Sequence, residues 1–266
     1  MARYDYNLIS IGAGSGGLVS SYIASAVKAK VALIEKNLMG GDCLNYGCVP
    51  SKSLIASAKL VQQLKKHERF GLKGVHFEVD FPLVMERVQQ IIEKITPHDS
   101  VERYISLGVE CIQGNARVVS SHEIEVNGKL LTTKNMVLAT GASPFIPRIP
   151  GLEDSDFSTS DNIWNLRMLP KHLLVIGGGP IGCELAQTFR RLGSEVTVLT
   201  RDPRLFPKDT DFSLDNLQKT LIDNNIESGQ TYNEEDALKT WYDRFNPRTS
   251  NVKNPRPSTR PSKSSL

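Results

Sequence analysis

The sequence predicts an α/β protein that contains two copies of a strand, glycine turn, helix and strand unit, the second copy being incomplete. Three observations carry this prediction. The pattern Gly-x-Gly-x-x-Gly occurs twice, each time between an apolar run typical of a strand and a stretch with helical spacing. A short apolar run follows each helical stretch, as in a parallel βαβ unit. Asn127-Gly128 separates two β-like runs and predicts a hairpin.

The first unit covers residues 6–35 and contains the turn Gly12-x-Gly14-x-x-Gly17. The first glycine permits the tight turn, the second lets the backbone approach a pyrophosphate, and the third lets the helix pack closely on the strand. Glu35 ends the second strand, where an acid accepts hydrogen bonds from a ribose hydroxyl. We therefore expect a dinucleotide at this turn. The alternative is a turn of the same shape without a ligand.

The second unit contains the turn Gly177-x-Gly179-x-x-Gly182, with Glu184 in the predicted helix that follows. A second dinucleotide is expected there for the same reasons.

The position equivalent to Glu35 in the second unit is Thr200, and Arg201 follows it. A neutral residue removes the acid that would repel a 2′-phosphate, and an arginine supplies a cation that binds one. This pattern favours NADPH over NADH. The alternative is that Arg201 is a solvated loop arginine.

Two of the four cysteines form the motif CLNYGC, in which four residues separate Cys43 from Cys48. Pro50 suits the first turn of a helix, and the N-terminus of that helix favours a thiolate at Cys48. The interpretation is a redox-active pair in which the more exposed sulfur exchanges with substrate. The alternatives are a zinc site, a structural disulfide or two unrelated buried thiols. Zinc needs further ligands nearby, and Cys111 and Cys183 are isolated and predicted to lie in the core.

The remaining segments predict further elements. Helical spacing predicts helices over residues 50–66 and 82–95, and the runs KLLTT and NMVLAT predict two short strands. The proline-marked segment SPFIPRIPG predicts a linker between the two units. Residues 247–266 combine proline, serine and basic residues without acids, a composition that predicts disorder.

Composition and charge exclude several classes of function. A hydrophobic fraction of 39% and a charged fraction of 23% are typical of a globular protein in water. A net charge of +3 is too small to indicate nucleic acid or a membrane surface as a partner. The N-terminus lacks the pattern of a secretory signal, and no apolar run is long enough to span a bilayer. A cytoplasmic location is the default expectation.

Together these motifs resemble the FAD-containing pyridine nucleotide-disulfide oxidoreductases, the group of dihydrolipoamide dehydrogenase, glutathione reductase and mercuric reductase. The matching segments are GAGSGG, GGDCLNYGCVPSK, LATGASPFIPRIPG and GGGPIGCE. They occur in the family's order and cover residues 4–215. The resemblance implies two Rossmann-like FAD/NAD(P)-binding units with a three-layer ββα-type architecture, which is incomplete in this sequence.

The resemblance also implies roles for individual residues. FAD would bind the first unit and NADPH or NADH the second. Cys48 would be the sulfur next to the flavin, Cys43 the sulfur that exchanges with substrate, and Lys52 a neighbour of the flavin ring. Further FAD contacts would come from residues between and after the strands: Gly114, Ala139, Thr140 and Gly141. The substrate would be a disulfide, a small thiol or a metal ion, and no resident metal is implied.

The sequence also departs from the family. Members continue with a second FAD contact and a dimer-interface domain that supplies a His-Glu pair, and no segment here matches those parts. The resemblance therefore implies an FAD domain at 1–148, a partial nucleotide domain at 149–226 and a tail of non-family character at 227–266. Full-length members are homodimers, and the missing interface domain argues against the same dimer in this chain. Two hypotheses follow: an FAD-dependent oxidoreductase, or a truncated nucleotide-binding remnant without catalysis. A flavin-free dehydrogenase would leave the cysteine motif unexplained.

Overall fold

The computed structural model describes residues 4–200 and the backbone of residues 227–230. The first part of the chain contains six strands and five helices. In chain order they are β1 (Tyr6–Ile11), α1 (Ser15–Ala26), β2 (Val31–Glu35), α2 (Gly41–Asn45), α3 (Cys48–Lys65), α4 (Phe81–Ile95), α5 (Val101–Ser106), β3 (Val109–Gln113), β4 (Arg117–Ser120), β5 (Glu123–Val126) and β6 (Lys129–Leu138). The second part contains β7 (His172–Ile176), α6 (Pro180–Leu192), β8 (Glu195–Thr200) and β9 (Glu227–Gln230).

The first sheet has the order β3-β2-β1-β6-β5-β4 and changes character along β6. Strands β3, β2, β1 and β6 are parallel, whereas β6, β5 and β4 are antiparallel. Within β6, Thr132 pairs with Glu123 of β5, and the next residue, Thr133, pairs with Tyr6 of β1. The prediction of two separate strands in this segment was wrong, because one ten-residue strand serves both halves of the sheet.

Two apolar cores lie on opposite faces of the parallel strands. On one face, Ile9 and Ile34 pack against Ile124 and Val126 of the antiparallel hairpin. On the other face, a cluster of helix and strand residues joins α1 and α5 to the sheet: Leu18, Leu33, Tyr104 and Val109. The result is a helical layer, a parallel sheet and an antiparallel layer, which confirms the predicted three-layer architecture.

The hairpin between β5 and β6 turns at Asn127 and Gly128. Their φ angles are 52° and 73°, so both lie in the left-handed region that a two-residue type I′ turn requires. Asparagine and glycine adopt this conformation at low cost, which confirms the hairpin prediction.

The second unit forms a parallel sheet of order β7-β8-β9, with α6 packed against it. The core on α6 also includes residues of α3 and α4, and the Phe81 and Phe189 rings lie 6.0 Å apart. Trp164, from the connection between the units, is buried in the same core. The apolar face of α3 therefore packs against the second unit.

Strand β9 corrects one predicted boundary. Residues 227–230 pair in parallel with β8 between Thr197 and Thr200, so the second sheet extends beyond the predicted limit at residue 226. The short run Glu-Ser-Gly-Gln lacks the apolar pattern that predicts a strand, and its pairing with β8 defines it as one. The rest of the predicted tail lies outside the described residues.

Helix starts differ slightly from the predictions. Helix α3 begins at Cys48, before Pro50, so the proline occupies the third helical position. Helix α4 begins at Phe81 because the Asp80 carboxylate accepts a hydrogen bond from the Leu83 N–H at 3.0 Å. The short helices α2 and α5 were not predicted, since five or six residues show no clear periodicity. Among the described helices, none has the length and apolar character needed to cross a membrane.

Candidate active site

The first glycine turn is held in place by the strands around it. Gly12 has φ +102°, and its N–H donates to the Ile34 carbonyl at 2.8 Å. A Cβ on Gly12 would overlap the Ala139 carbonyl oxygen, and one on Gly17 would overlap the Gly12 carbonyl oxygen. In contrast, a Cβ on Gly14 would have only the Gly41 Cα as a neighbour, at 3.9 Å. Neighbouring backbone atoms therefore leave no room for a side chain at Gly12 or Gly17, whereas the position of Gly14 is open.

The second glycine turn repeats this geometry. Gly177 has φ +111°, and its N–H donates to the Leu199 carbonyl at 2.8 Å. A Cβ on Gly182 would overlap the Gly177 carbonyl oxygen, as in the first turn. No described atom lies within 4 Å of a Cβ built on Gly179. The predicted internal repeat is confirmed at the level of individual hydrogen bonds.

Four helices have N-termini that differ from those of the others. Each of the four begins after a glycine, which has no side chain to bond the free N–H groups of the first turn. These helices are α1, α2, α3 and α6, and their N-caps are Gly14, Gly40, Gly47 and Gly179. Helices α4 and α5 are instead capped by the side chains of Asp80 and Ser100. The uncapped ends are the ones that face the glycine turns and the cysteine pair, where an anion could accept these N–H groups.

Helix α2 starts directly against the first glycine turn. The Gly40 N–H donates to the Ala13 carbonyl at 2.9 Å, and a Cβ on Gly41 would lie 2.6 Å from the Gly14 Cα. Gly141, just after β6, has φ +69°, and a Cβ there would be 3.6 Å from an Asp42 carboxylate oxygen. The structure therefore brings together three segments: residues 12–17, 40–42 and 139–141. Gly40, Gly41 and Asp42 were not predicted as site residues, although their GGD sequence before the first cysteine is a visible signal.

Glu35 lies where the sequence predicted, at the end of β2 beside the turn. Its carboxylate accepts the Ala13 N–H at 2.6 Å and the Asn37 N–H at 2.7 Å. Ala139 follows β6 and donates to the Ile11 carbonyl at 2.8 Å, and Thr140 is exposed beside it. Gly114 follows β3 but packs against the hairpin, since a Cβ there would be 2.6 Å from the Asn127 side-chain oxygen.

In the second unit, Thr200 ends β8 and Glu184 is an exposed residue of α6. Arg201 lies outside the described residues, so the predicted cation beside Thr200 stays a prediction.

The Cys43 and Cys48 thiols lie close together, and both cysteines are free. Cys43 lies in α2, and Cys48 is the first residue of α3. The hydrogen bond with Cys48 and burial raise the pKa of Cys43, while the Lys52 charge acts in the opposite direction. Lys52 is one turn along α3 from Cys48. The structure therefore brings all three residues of the predicted redox site together.

The exposure of the two cysteine residues is the reverse of the order that their predicted roles imply. Cys48 is exposed, whereas Cys43, the residue assigned to substrate exchange, is half-buried within α2. The assignment of roles stays a prediction. Cys183 is buried in α6 and burial raises its pKa to about 11, so its predicted place in the core is confirmed. Cys111 is half-buried in β3.

Trp164 is a neighbour of the cysteine pair that sequence reasoning missed. Its indole N–H lies 2.9 Å from the carbonyl of Tyr46, which stands between the two cysteines in the chain, and 2.7 Å from the Ser160 carbonyl. Asn45 supports the same loop by donating to the Met39 and Gly41 carbonyls at 3.0 and 2.9 Å. No local pattern links residue 164 to residue 46, because the contact depends on the packing of the connecting segment.

Comparison with known proteins places this geometry in a family. Residues 6–233 match the profile described as pyridine nucleotide-disulphide oxidoreductase. The mercuric reductase of Bacillus cereus is 39% identical over 237 residues, which are 86% of this chain and 37% of that protein. The dihydrolipoyl dehydrogenase of Acholeplasma laidlawii is 34% identical over 229 residues, which are 84% of this chain and 68% of that protein.

Solved structures give the same result. The HOCl-induced flavoprotein disulfide reductase RclA from Escherichia coli is 26% identical, with a TM-score of 0.70 over 86% of this chain and 50% of that one. Its Cu(II) complex gives a TM-score of 0.72. The chain spans less than half the length of the mercuric reductases it matches. With two equivalent glycine turns and two cysteines close together, the chain belongs to the pyridine nucleotide-disulphide oxidoreductase family.

Proposed function

We propose that this chain is an FAD-dependent oxidoreductase that uses NAD(P)H and the Cys43–Cys48 pair to reduce a disulfide or a soft metal ion. The observation that carries the proposal is the proximity of the two thiols, one in α2 and one at the start of α3, beside the first glycine turn. The Gly40 N–H to Ala13 carbonyl hydrogen bond ties the segment of the thiols to that turn.

The first unit fits FAD. The open backbone at Gly14 and the glycine-capped starts of α1 and α2 offer N–H groups to a pyrophosphate. Glu35 would hold the ribose, with its carboxylate already fixed beside the turn by the Ala13 N–H. Lys52, Ala139, Thr140 and Gly141 would contact the flavin end. Gly114 is proposed to act through its backbone, because its Cα faces the hairpin.

The second unit fits a pyridine nucleotide. Gly177, Gly179 and Gly182 leave open backbone above the N-terminus of α6, and Glu184 stands on the first turns of that helix. Thr200 at the end of β8 presents no acid to a 2′-phosphate. We propose NADPH as the preferred donor, with Arg201 as its partner. When bound, FAD would accept the hydride of this donor and supply the electron pair that opens the disulfide.

The thiol chemistry of the chain itself can be written in full. The reduced pair carries two S–H groups. The Cys43 thiolate attacks a substrate disulfide, which forms a mixed disulfide and releases the first substrate thiolate. The Cys48 thiolate then attacks the Cys43 sulfur, which releases the second substrate thiolate and restores the Cys43–Cys48 disulfide. The departing thiolates take up the two protons of the pair.

A soft metal ion is the other acceptor that the pair could hold. Two adjacent thiols bind such an ion strongly as thiolates, and they release two protons when they do so. Mercuric reductases are among the relatives, and RclA has been solved with Cu(II). We propose that a thiophilic ion contacts both sulfurs, and metal-dependent NADPH oxidation distinguishes this acceptor from a disulfide.

A second candidate function is nucleotide binding without turnover. Helix α1 and its C-cap residue present four exposed apolar side chains at helical spacing: Val19, Tyr22, Ile23 and Val27. No described residue covers this face. Such a surface favours association over a stable soluble enzyme.

The deciding experiment is an anaerobic titration of the purified chain with NADPH, followed by visible absorption. We expect a yellow protein that gains a long-wavelength band between a thiolate and the bound flavin. Cys48→Ala should abolish the band, and the matched control Cys111→Ser should keep it. A protein that takes up no added FAD would overturn the enzyme proposal and leave the second candidate.

A further inference from the structure

The C-terminal ends of α3 and α6 form a basic cavity far from the cysteine pair. It has a volume of about 310 Å³ and is lined by side chains from both helices and from the turn after α3. Lysine and arginine supply its charge: Lys59, Lys66, Arg69 and Arg191. Helix α3 has 18 residues and begins at Cys48, so the cavity lies roughly 25 Å from the thiols.

The cations of this cavity have no acidic partners among the described residues. No described ion pair involves Lys59, Lys66, Arg69 or Arg191, and no acid lines the cavity. Lys65 donates to the Arg191 carbonyl at 2.8 Å, which brings one more positive charge to the same corner. Burial and the Arg190 charge lower the pKa of Lys65, as expected where positive charges are close together.

Arg191 contributes a second, independent observation. Its Nε atom is buried and has no hydrogen-bond partner within the described part of the chain. Burial also lowers the pKa of its guanidinium. A buried donor of a charged group is costly to leave unpaired, so such donors are uncommon and indicate a partner that the described residues do not supply.

The uncharged residues that line the cavity indicate the chemistry of its ligand. Phe70 is 68% exposed and presents its ring to the cavity, and Gln62 and Gln63 supply amide groups. An aromatic ring beside arginine groups suits a molecule with a flat apolar part and an anionic group. A volume of about 310 Å³ is at the lower end of the range for small-molecule sites.

We propose that this cavity is a binding site for a small organic phosphate, with the phosphate against Arg191 and Arg69 and the apolar part against Phe70. A dianionic phosphate matches several unpaired cations better than a carboxylate does. The other explanation is that the cations only complement the C-terminal dipoles of α3 and α6. That role requires neither an aromatic wall nor a buried, unpaired Nε atom. The proposal does not rest on the oxidoreductase function.

The test is calorimetric titration of the protein with phenyl phosphate, inorganic phosphate and phenol. We expect phenyl phosphate to bind more tightly than inorganic phosphate and phenol not to bind. Arg191→Gln should weaken phenyl phosphate binding about tenfold or more, the loss expected for a charge-assisted hydrogen bond. The matched control Lys134→Gln changes an exposed cation on β6 and should leave binding unchanged.

Two further variants keep the test decisive. Phe70→Ala changes an exposed residue and should weaken the binding of phenyl phosphate about fivefold, without affecting the binding of inorganic phosphate. Gly179→Val blocks the second glycine turn and should leave binding intact, since a Cβ there meets no described atom. Binding that is lost in Gly179→Val, or that is equal in wild type and Arg191→Gln at unchanged melting temperature, would overturn the proposal.

Discussion

The Trp164 indole N–H donates to the Tyr46 carbonyl at 2.9 Å and joins the connection between the two units to the segment between Cys43 and Cys48. Trp164 is 4% exposed and belongs to the core shared by α3, α4 and α6. The position of the thiol loop therefore depends on the packing of the second unit.

Replacing this tryptophan tests that dependence. Trp164→Phe keeps an aromatic ring but removes the N–H, which leaves the Tyr46 carbonyl without this donor. We expect a loss of about 1–2 kcal/mol in the free energy of unfolding, measured by urea denaturation. Alkylation of Cys43 and Cys48 should also become faster, because the loop is less restrained. Tyr22→Phe, on an exposed face of α1, is the control. Unchanged stability and alkylation would show that the hydrogen bond does not restrain the loop.

The first glycine turn contains its own matched pair of variants. Gly17→Ala places a methyl group on the Gly12 carbonyl oxygen, whereas in Gly16→Ala the methyl group lies 3.5 Å from the Ala139 side chain. We expect Gly17→Ala to lower the free energy of unfolding by about 2 kcal/mol or more and to abolish FAD binding. Gly16→Ala should be neutral or stabilising by up to about 1 kcal/mol, since alanine suits a helix better than glycine. Thermal unfolding and flavin absorbance measure both effects, and equal behaviour of the two variants would contradict the packing argument.

Lys52 should control the reactivity of Cys43. The hydrogen bond with Cys48 and burial raise the pKa of Cys43, and Lys52 lowers it. Lys52→Gln removes the lowering contribution, so the pKa should rise and the thiolate fraction at neutral pH should fall. The pH profile of iodoacetamide alkylation should shift to higher pH, with a rate at pH 7 lower by about threefold. Lys59→Gln, farther along α3, should leave the profile unchanged. A shift to lower pH would refute this role of Lys52.

Cys183 should make stability depend on pH in the alkaline range. Burial raises its pKa from an ordinary value of 9.0 to about 11. The unfolded chain therefore loses this proton before the folded chain does. The resulting stability is fully present below about pH 9 and is lost as the pH rises towards about 11. A shift of this size corresponds to at most about 3 kcal/mol.

The measurement is urea denaturation under reducing conditions at several pH values, for the wild type and for Cys183→Ala. Buried Tyr6, whose pKa is raised to about 12, contributes to both proteins, so the difference between them isolates Cys183. We expect the difference to shrink between pH 9 and pH 11. A constant difference would mean that the thiol does not titrate with folding.

Several features were predictable from the sequence because they depend on residues close together in the chain. The strands around both glycine turns, the Asn127-Gly128 hairpin and the proximity of Cys43, Cys48 and Lys52 follow from local spacing and turn chemistry. The two turns agree in their hydrogen bonds and in their positive φ angles at the first glycine. Only glycine accepts that conformation and that close backbone approach, so the pattern alone identifies the geometry.

Tertiary structure decided the features that depend on contacts between distant segments. The single strand β6, the pairing of β9 with β8 and the Trp164 hydrogen bond each involve partners with no sequence signal in common. The basic cavity joins the end of α3 to Arg191 of α6 in the same way. The relative exposure of Cys43 and Cys48 also depends on how α2 and α3 pack. Local spacing determines which backbone shapes a segment can adopt, whereas burial and pairing depend on which distant surfaces cover it.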